Sequence, residues 1–83
     1  MGIDRWSEEP YYRQLAAFIR AGIEAGDLAP GDQLPSEAFY MQEFGLARNT
    51  VRQALEVLRE SGHIETHKRR GSRVLGREHW PQT

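Results

Sequence analysis

The segment from Gly45 to Leu58, GLARNTVRQALEVL, constrains the fold of this chain more than any other. It leaves a glycine turn and continues with Val51, Ala54, Leu55 and Leu58 at i, i+3, i+4 and i+7, the spacing of one buried helical face. Arg48, Asn49, Thr50, Arg52 and Gln53 lie off that stripe, in the first two turns. Arginine and the amide side chains can form paired hydrogen bonds to guanine and adenine edges in the major groove. A helix that packs on one side and offers such groups near its N-terminus is built to read duplex DNA. Arg48 and Arg52 are four apart on one face, so both can reach the same groove. The competing use of Arg52 is a pair with Glu56, one turn further on.

The formal net charge of −1 looks wrong for a DNA binder until its distribution is followed. Residues 1–47 carry three basic and eight acidic side chains, a net of −5. Residues 48–77 carry eight basic and three acidic ones, a net of +5. A basic face is the electrostatic footprint of nucleic-acid binding even when the total cancels.

Around the reading helix the chain predicts two more helices and a hairpin. Residues 1–8 are polar and charged apart from Ile3 and Trp6, which predicts a loose arm. Pro10 suits a helix start, and Tyr12, Leu15, Ile19 and Ile23, widened by Phe18, mark one face as far as Ala25. Gly26 stands at a cap position. Pro30-Gly31 marks a turn, and Gln33-Leu34 allows a very short strand. Ser36 can N-cap a second helix, with Glu37 favourable at its positive end, and that helix runs to about Phe44. Two short helices joined through Gly45-Leu46-Ala47 give a helix-turn-helix. The third helix runs from about Arg48 to Ser61 and stops at Gly62. His63 to His67, the basic turn Lys68-Arg69-Arg70-Gly71 and Ser72 to Leu75 then read as a β-hairpin. The fold class is mainly α with a small β-hairpin: a winged helix-turn-helix over residues 9–76, with residues 77–83 as a polar tail.

From Pro10 to Val74 the chain resembles the DNA-binding domain of the GntR family of bacterial transcription regulators. The matching residues are Pro10-Tyr11-Tyr12-Arg13-Gln14-Leu15, Ile23, Gly26-Asp27-Leu28, Pro30-Gly31 and Leu34-Pro35-Ser36-Glu37. They continue with Gly45, Arg48-Asn49-Thr50-Val51-Arg52-Gln53-Ala54-Leu55, Leu58, Gly62, Ile64 and Arg70-Gly71. The resemblance implies operator binding as a symmetric pair, with Arg48 and Arg52 reading major-groove bases. Asn49, Thr50 and Gln53 join that surface, and Ser36 and Glu37 open the supporting helix, where backbone N–H groups can meet a phosphate. His67, Lys68, Arg69, Arg70, Gly71 and Arg73 form a wing that enters the minor groove.

The chain departs from the family pattern at several places. Ala47 replaces the usual serine or threonine before the reading arginine, and Ala38 replaces a common arginine. Phe39, Tyr40, Met41 and Phe44 replace a more aliphatic pattern. Arg69 stands where glycine is frequent, and Arg73 where an apolar aromatic is frequent. Family members generally continue into a C-terminal domain that binds a metabolite and holds the dimer. The expectation here leans to a minimal regulator with no effector domain and no small-molecule effector site within the chain, against a fragment of a longer one.

Other function classes find less support. Zero cysteines exclude a disulfide framework and a thiolate metal site. His63 and His67 share a face of the predicted strand but have no clustered carboxylate, so neither metal nor cofactor is expected. His67 is the better wing contact, and His63 is expected as a partly buried surface residue. No nucleophile triad, paired carboxylates or phosphate-cradling glycine loop is present, so no catalytic residue is assigned. No apolar run reaches membrane-spanning length, and no signal core opens the chain, which favours a cytoplasmic protein without membrane contact, a bacterial one as the resemblance implies. Trp6 and Trp80 fall outside the expected core, and one use for them is a homodimer contact. The reading is a repressor on a short palindromic operator. Its rivals are an architectural accessory factor of a mobile element and a winged-helix protein-interaction module.

Overall fold

A computed structural model describes residues 2–81. Helix α1 spans Tyr11–Ala25, α2 Glu37–Phe44 and α3 Arg48–Glu60. Strands β1 (Ile64–His67) and β2 (Gly71–Val74) follow, and a single 3-10 turn, Arg77–His79, closes the order. The three helices, the hairpin and the turn joining α2 to α3 match the expected winged helix-turn-helix.

The apolar stripes read from the sequence are the ones the fold buries. Helix α1 contributes Leu15, Ala16, Ile19 and Ile23, and α3 contributes Val51, Ala54, Leu55 and Leu58. These two faces pack on each other and make the centre of the core. Leu34, Tyr40, Leu46, Ile64 and Val74 close it from the connector, α2, the turn and the hairpin. Phe18 sits at the border, 39% exposed, with its ring edge-on to Phe44 at 5.2 Å. Burial pushes the Tyr40 phenol up to about 12.

Each helix starts and stops for a local reason. Pro10 occupies the N-cap of α1, one position before the first helical residue, and its carbonyl accepts from the N–H groups of Arg13 and Gln14. Ser36 caps α2, its hydroxyl oxygen accepting from Phe39 N–H at 3.1 Å. At α3 the N-cap is Ala47, in an extended conformation with no side-chain cap bond. That helix ends at Glu60, one residue before the expected Ser61, which becomes its C-cap.

The hairpin is antiparallel, with Ile64 opposite Val74, Glu65 opposite Arg73, Thr66 opposite Ser72 and His67 opposite Gly71. Gln33 adds a single bridge to Arg73, so the expected short strand at Gln33-Leu34 is one bridge long. Further backbone bonds from Gly31 N–H to Val74, Val74 N–H to Asp32 and Leu34 N–H to Ser72 bind this connector to β2. The wing is thereby supported along its outer edge.

Three expectations are corrected at the far end of α3. His63 was expected partly buried, yet it is fully buried. Gly62 reverses the chain with φ +80°, which drops the imidazole beneath the helix ends and leaves β1 to begin at Ile64. His63 and His67 therefore do not share a strand face. Trp80 was expected to have no core to join, yet its ring stacks on His63 at 5.0 Å and packs against the core. Its indole N–H donates to the Leu75 carbonyl at 3.2 Å. The cause is again Gly62, whose missing Cβ would lie 1.9 Å from the His79 carbonyl oxygen.

The segment expected as a loose arm makes several contacts with the body. Gln14 accepts from Asp4 N–H at 2.7 Å and donates to the Asp4 and Glu9 carbonyls. Arg5 donates to the carbonyl of Phe44 at 3.0 Å, at the end of α2. Trp6 is 97% exposed, in keeping with a place outside the core.

Candidate nucleic-acid interface

The polar face of α3 projects from the fold because the opposite face is consumed by α1. Arg48, Asn49, Arg52 and Gln53 are exposed, and Thr50 is half-buried. One carboxylate from α2 meets both arginines: Glu37 lies 3.7 Å from Arg48 Nη1 and 3.2 Å from Arg52 Nε. The expected competitor Glu56 pairs instead with Arg59, whose Nε donates to it at 3.1 Å. More than half of each of these two arginine side chains stays open to solvent. The two guanidiniums are thus gathered without being enclosed. Exposed pairs of this kind contribute only about 0–1 kcal/mol, so a stronger anion can displace Glu37. Ser36 sits beside Glu37, with its hydroxyl committed to the cap of α2.

The wing presents the second cationic surface. His67, Lys68, Arg69, Arg70, Gly71 and Arg73 are all exposed. Arg69 is the single non-glycine residue among those described with positive φ, at 69°. Left-handed backbone costs a side-chain-bearing residue about 1–2 kcal/mol, which explains why glycine suits this position. Here the chain keeps a cation at the tip instead. Gln33 fixes the turn by donating to the Arg70 carbonyl at 3.0 Å.

Residues with no assigned role hold these surfaces in place. Glu65 accepts from Arg73 Nη2 at 2.7 Å and shares a hydrogen bond with His67 at 2.6 Å. The Arg73 guanidinium, then His67, hold its carboxyl below the ordinary range. Thr66 receives Arg59 Nη1 at 3.0 Å and shares a bond with the Ser72 hydroxyl, tying the C-terminal half of α3 to both strands. For these roles Arg59, Glu65 and Thr66 carried no signal in the sequence beyond polarity and a place in a helix or hairpin, and Gln33 none beyond a very short strand. For Glu65, only the alternation of a strand could have paired it with His67. Among the described residues, no helix is long and apolar enough to cross a membrane.

Residues 11–74 match the model of the family "Bacterial regulatory proteins, gntR family". The chain belongs to the GntR family. Among curated GntR relatives it is 47% identical over 66 residues to the mannosyl-D-glycerate transport/metabolism system repressor MngR of Escherichia coli. It is 40% identical over 74 residues to the HTH-type transcriptional repressor NagR of Bacillus subtilis. Those matches cover 80% and 89% of this chain but 28% and 30% of the relatives, so it spans under a third of their length.

Solved structures agree. The AraR DNA-binding domain in complex with operator ORX1 superposes with a TM-score of 0.82 at 29% identity, covering 89% of this chain and 94% of that one. YtrA from Sulfolobus acidocaldarius, a GntR-family transcription factor, gives 0.82 at 38% identity, over 89% and 78%. The fold is the winged helix of GntR DNA-binding domains, and the chain is a DNA-binding regulatory domain of that family.

Proposed function

We propose that this chain represses transcription by occupying a short palindromic operator as a homodimer. Helix α3 enters the major groove, where Arg48 and Arg52 leave Glu37 for guanine edges. Asn49, Thr50 and Gln53 contact neighbouring bases or phosphates. The N-terminus of α2, with Ser36 and Glu37, faces the backbone. The wing, from His67 through Lys68, Arg69, Arg70 and Gly71 to Arg73, lies along the minor groove. Its work is binding rather than catalysis, in the cytoplasm where the operator is.

The observation that carries this reading is the pair of exposed guanidiniums on one face of α3, held by a single surface carboxylate at 3.2 and 3.7 Å. Such an arrangement orders two forked donors before the groove arrives and adds little to stability by itself. The strained tip supports it: Arg69 at φ 69° keeps a charge where glycine would relieve the backbone. Repression is proposed from the relatives, two of which are named as repressors.

Selection of bound duplexes from a random pool at two salt concentrations tests the proposal. A palindromic consensus that survives the higher salt is the expected outcome. Enrichment of flexible sequence without a consensus would point to an architectural factor, and retention of no duplex at low salt would reject DNA binding.

A further inference from the structure

We infer that the outer face of the wing is a proton-linked DNA contact, in which Glu65 sets the charge that Arg73 and His67 present to the phosphates. This deepens the DNA-binding reading and rests on it.

The strand alternation separates two faces of the hairpin. Ile64 and Val74 turn into the core, and Thr66 and Ser72 share a hydrogen bond on the same side, next to Arg59 of α3. Glu65, His67 and Arg73 occupy the opposite side. There one carboxylate engages both neighbours, His67 through one oxygen at 2.6 Å and Arg73 through the other at 2.7 Å. With a neutral imidazole, the cluster sums to zero. Arg73, a cation in the sequence, is cancelled in the fold.

A proton taken from solvent by His67 leaves the cluster at +1. Imidazole is the side chain whose charge changes within the range pH 5 to 8. The groups around it act in opposite directions. Glu65 on β1 supports the imidazolium, whereas Lys68, Arg69 and Arg70 in the turn and Arg73 on β2 oppose it. An approaching phosphate quiets those four cations and adds a second anion beside the ring. Docking on DNA therefore favours the protonated form, and by linkage acidification favours docking. The wing's share of affinity becomes a function of pH, a property that the reading arginines, charged at all relevant pH, cannot supply.

The test measures affinity for the selected duplex from pH 8 to pH 6 in wild-type protein, H67Q and E65Q. Circular dichroism at each pH checks the fold, and each profile is normalised to its own value at pH 8. The wild-type protein is expected to tighten by roughly two- to fivefold, the range one partly exposed charge contact allows. H67Q is expected to lose that gain. E65Q, freed of the carboxylate that cancels Arg73, is expected to bind more tightly than wild type at pH 8 and to gain less on acidification. His63 and His79 remain in all three proteins, so the difference between profiles isolates His67. Three parallel profiles, or an E65Q profile that matches wild type in level and slope, would overturn the inference. Absence of duplex binding by the wild-type protein at every pH would instead reject the DNA-binding reading beneath it.

Discussion

At its N-terminal end α3 meets α2 through a half-buried carboxylate, whereas at its C-terminal end it runs into a fully buried imidazole. Glu37 holds Arg48 and Arg52 where water screens the attraction and a phosphate can replace it. His63 shares a hydrogen bond with the Ser61 hydroxyl at 2.6 Å and with Glu24 of α1 at 2.8 Å, under the ring of Trp80. Among the described residues no buried side-chain nitrogen or oxygen lacks a partner, and an unsatisfied one at that junction would be costly. One end of the helix is arranged to exchange partners and the other to keep them. The proposed reading of DNA by α3 needs both, because side chains that move to a duplex are useful only on a backbone that does not.

The buried end breaks most readily at Gly62. Gly62→Ala forces a Cβ against the His79 carbonyl and places alanine at φ +80°. A loss of about 1–3 kcal/mol in chemical denaturation is expected for such a residue. Release of the Trp80 indole signal towards its solvent position should accompany it in proton NMR. A variant of unchanged stability with an unmoved indole would show that the tail does not depend on this close approach.

The exposed side sharpens through a substitution that should help the fold and harm its use. Arg69→Gly removes a side chain from left-handed backbone and should stabilise the protein by about 1 kcal/mol. The same change should weaken duplex binding and flatten its salt dependence by about one counterion. A drop in stability, or no change in the salt slope, would mean that the tip residue is neither strained nor in contact.

A smaller gain is expected at the open end of α3. Ala47 sits in extended N-cap geometry without a capping bond, so Ala47→Ser should add a stabilisation towards the lower end of about 0.5–2 kcal/mol. An unaltered denaturation midpoint would show that another group already satisfies the first-turn N–H groups.

The smallest effect concerns acid. The Arg20 guanidinium, then the His63 ring, hold the Glu24 carboxyl below the ordinary carboxylate range. A depressed folded-state value adds stability that is present above the ordinary range and lost as pH falls through it. Glu24→Gln should therefore narrow the difference in stability between pH 7 and pH 3 by a small margin. An unchanged difference would remove Glu24 from the acid response.

The helices and the hairpin were legible because their signals are local. Val51, Ala54, Leu55 and Leu58 repeat within two turns, and Ser36 or Gly62 announces a boundary from within a residue or two. The contacts that hold the interface were not legible, since their partners are distant in sequence. Glu37 and Arg52 are 15 residues apart, Gln33 and Arg70 are 37, and Glu24 and His63 are 39. Only the folded chain places them together. His63 and Trp80 misled for a related reason: a polar ring in a short hairpin and an aromatic in a polar tail each look like surface until a reversal at Gly62 stacks one on the other. Ala47 and Arg69, by contrast, were visible in the sequence as departures from a pattern, and the backbone gave each a physical meaning.

The most direct measurement of the central claim compares duplex affinity and thermal melting for wild type and the Arg48→Ala/Arg52→Ala pair of substitutions. The account predicts a loss of at least about 1–3 kcal/mol in specific binding, with stability within about 0.5 kcal/mol of wild type. Undiminished specific binding, or a fall in melting large enough to account for the lost affinity, would contradict it.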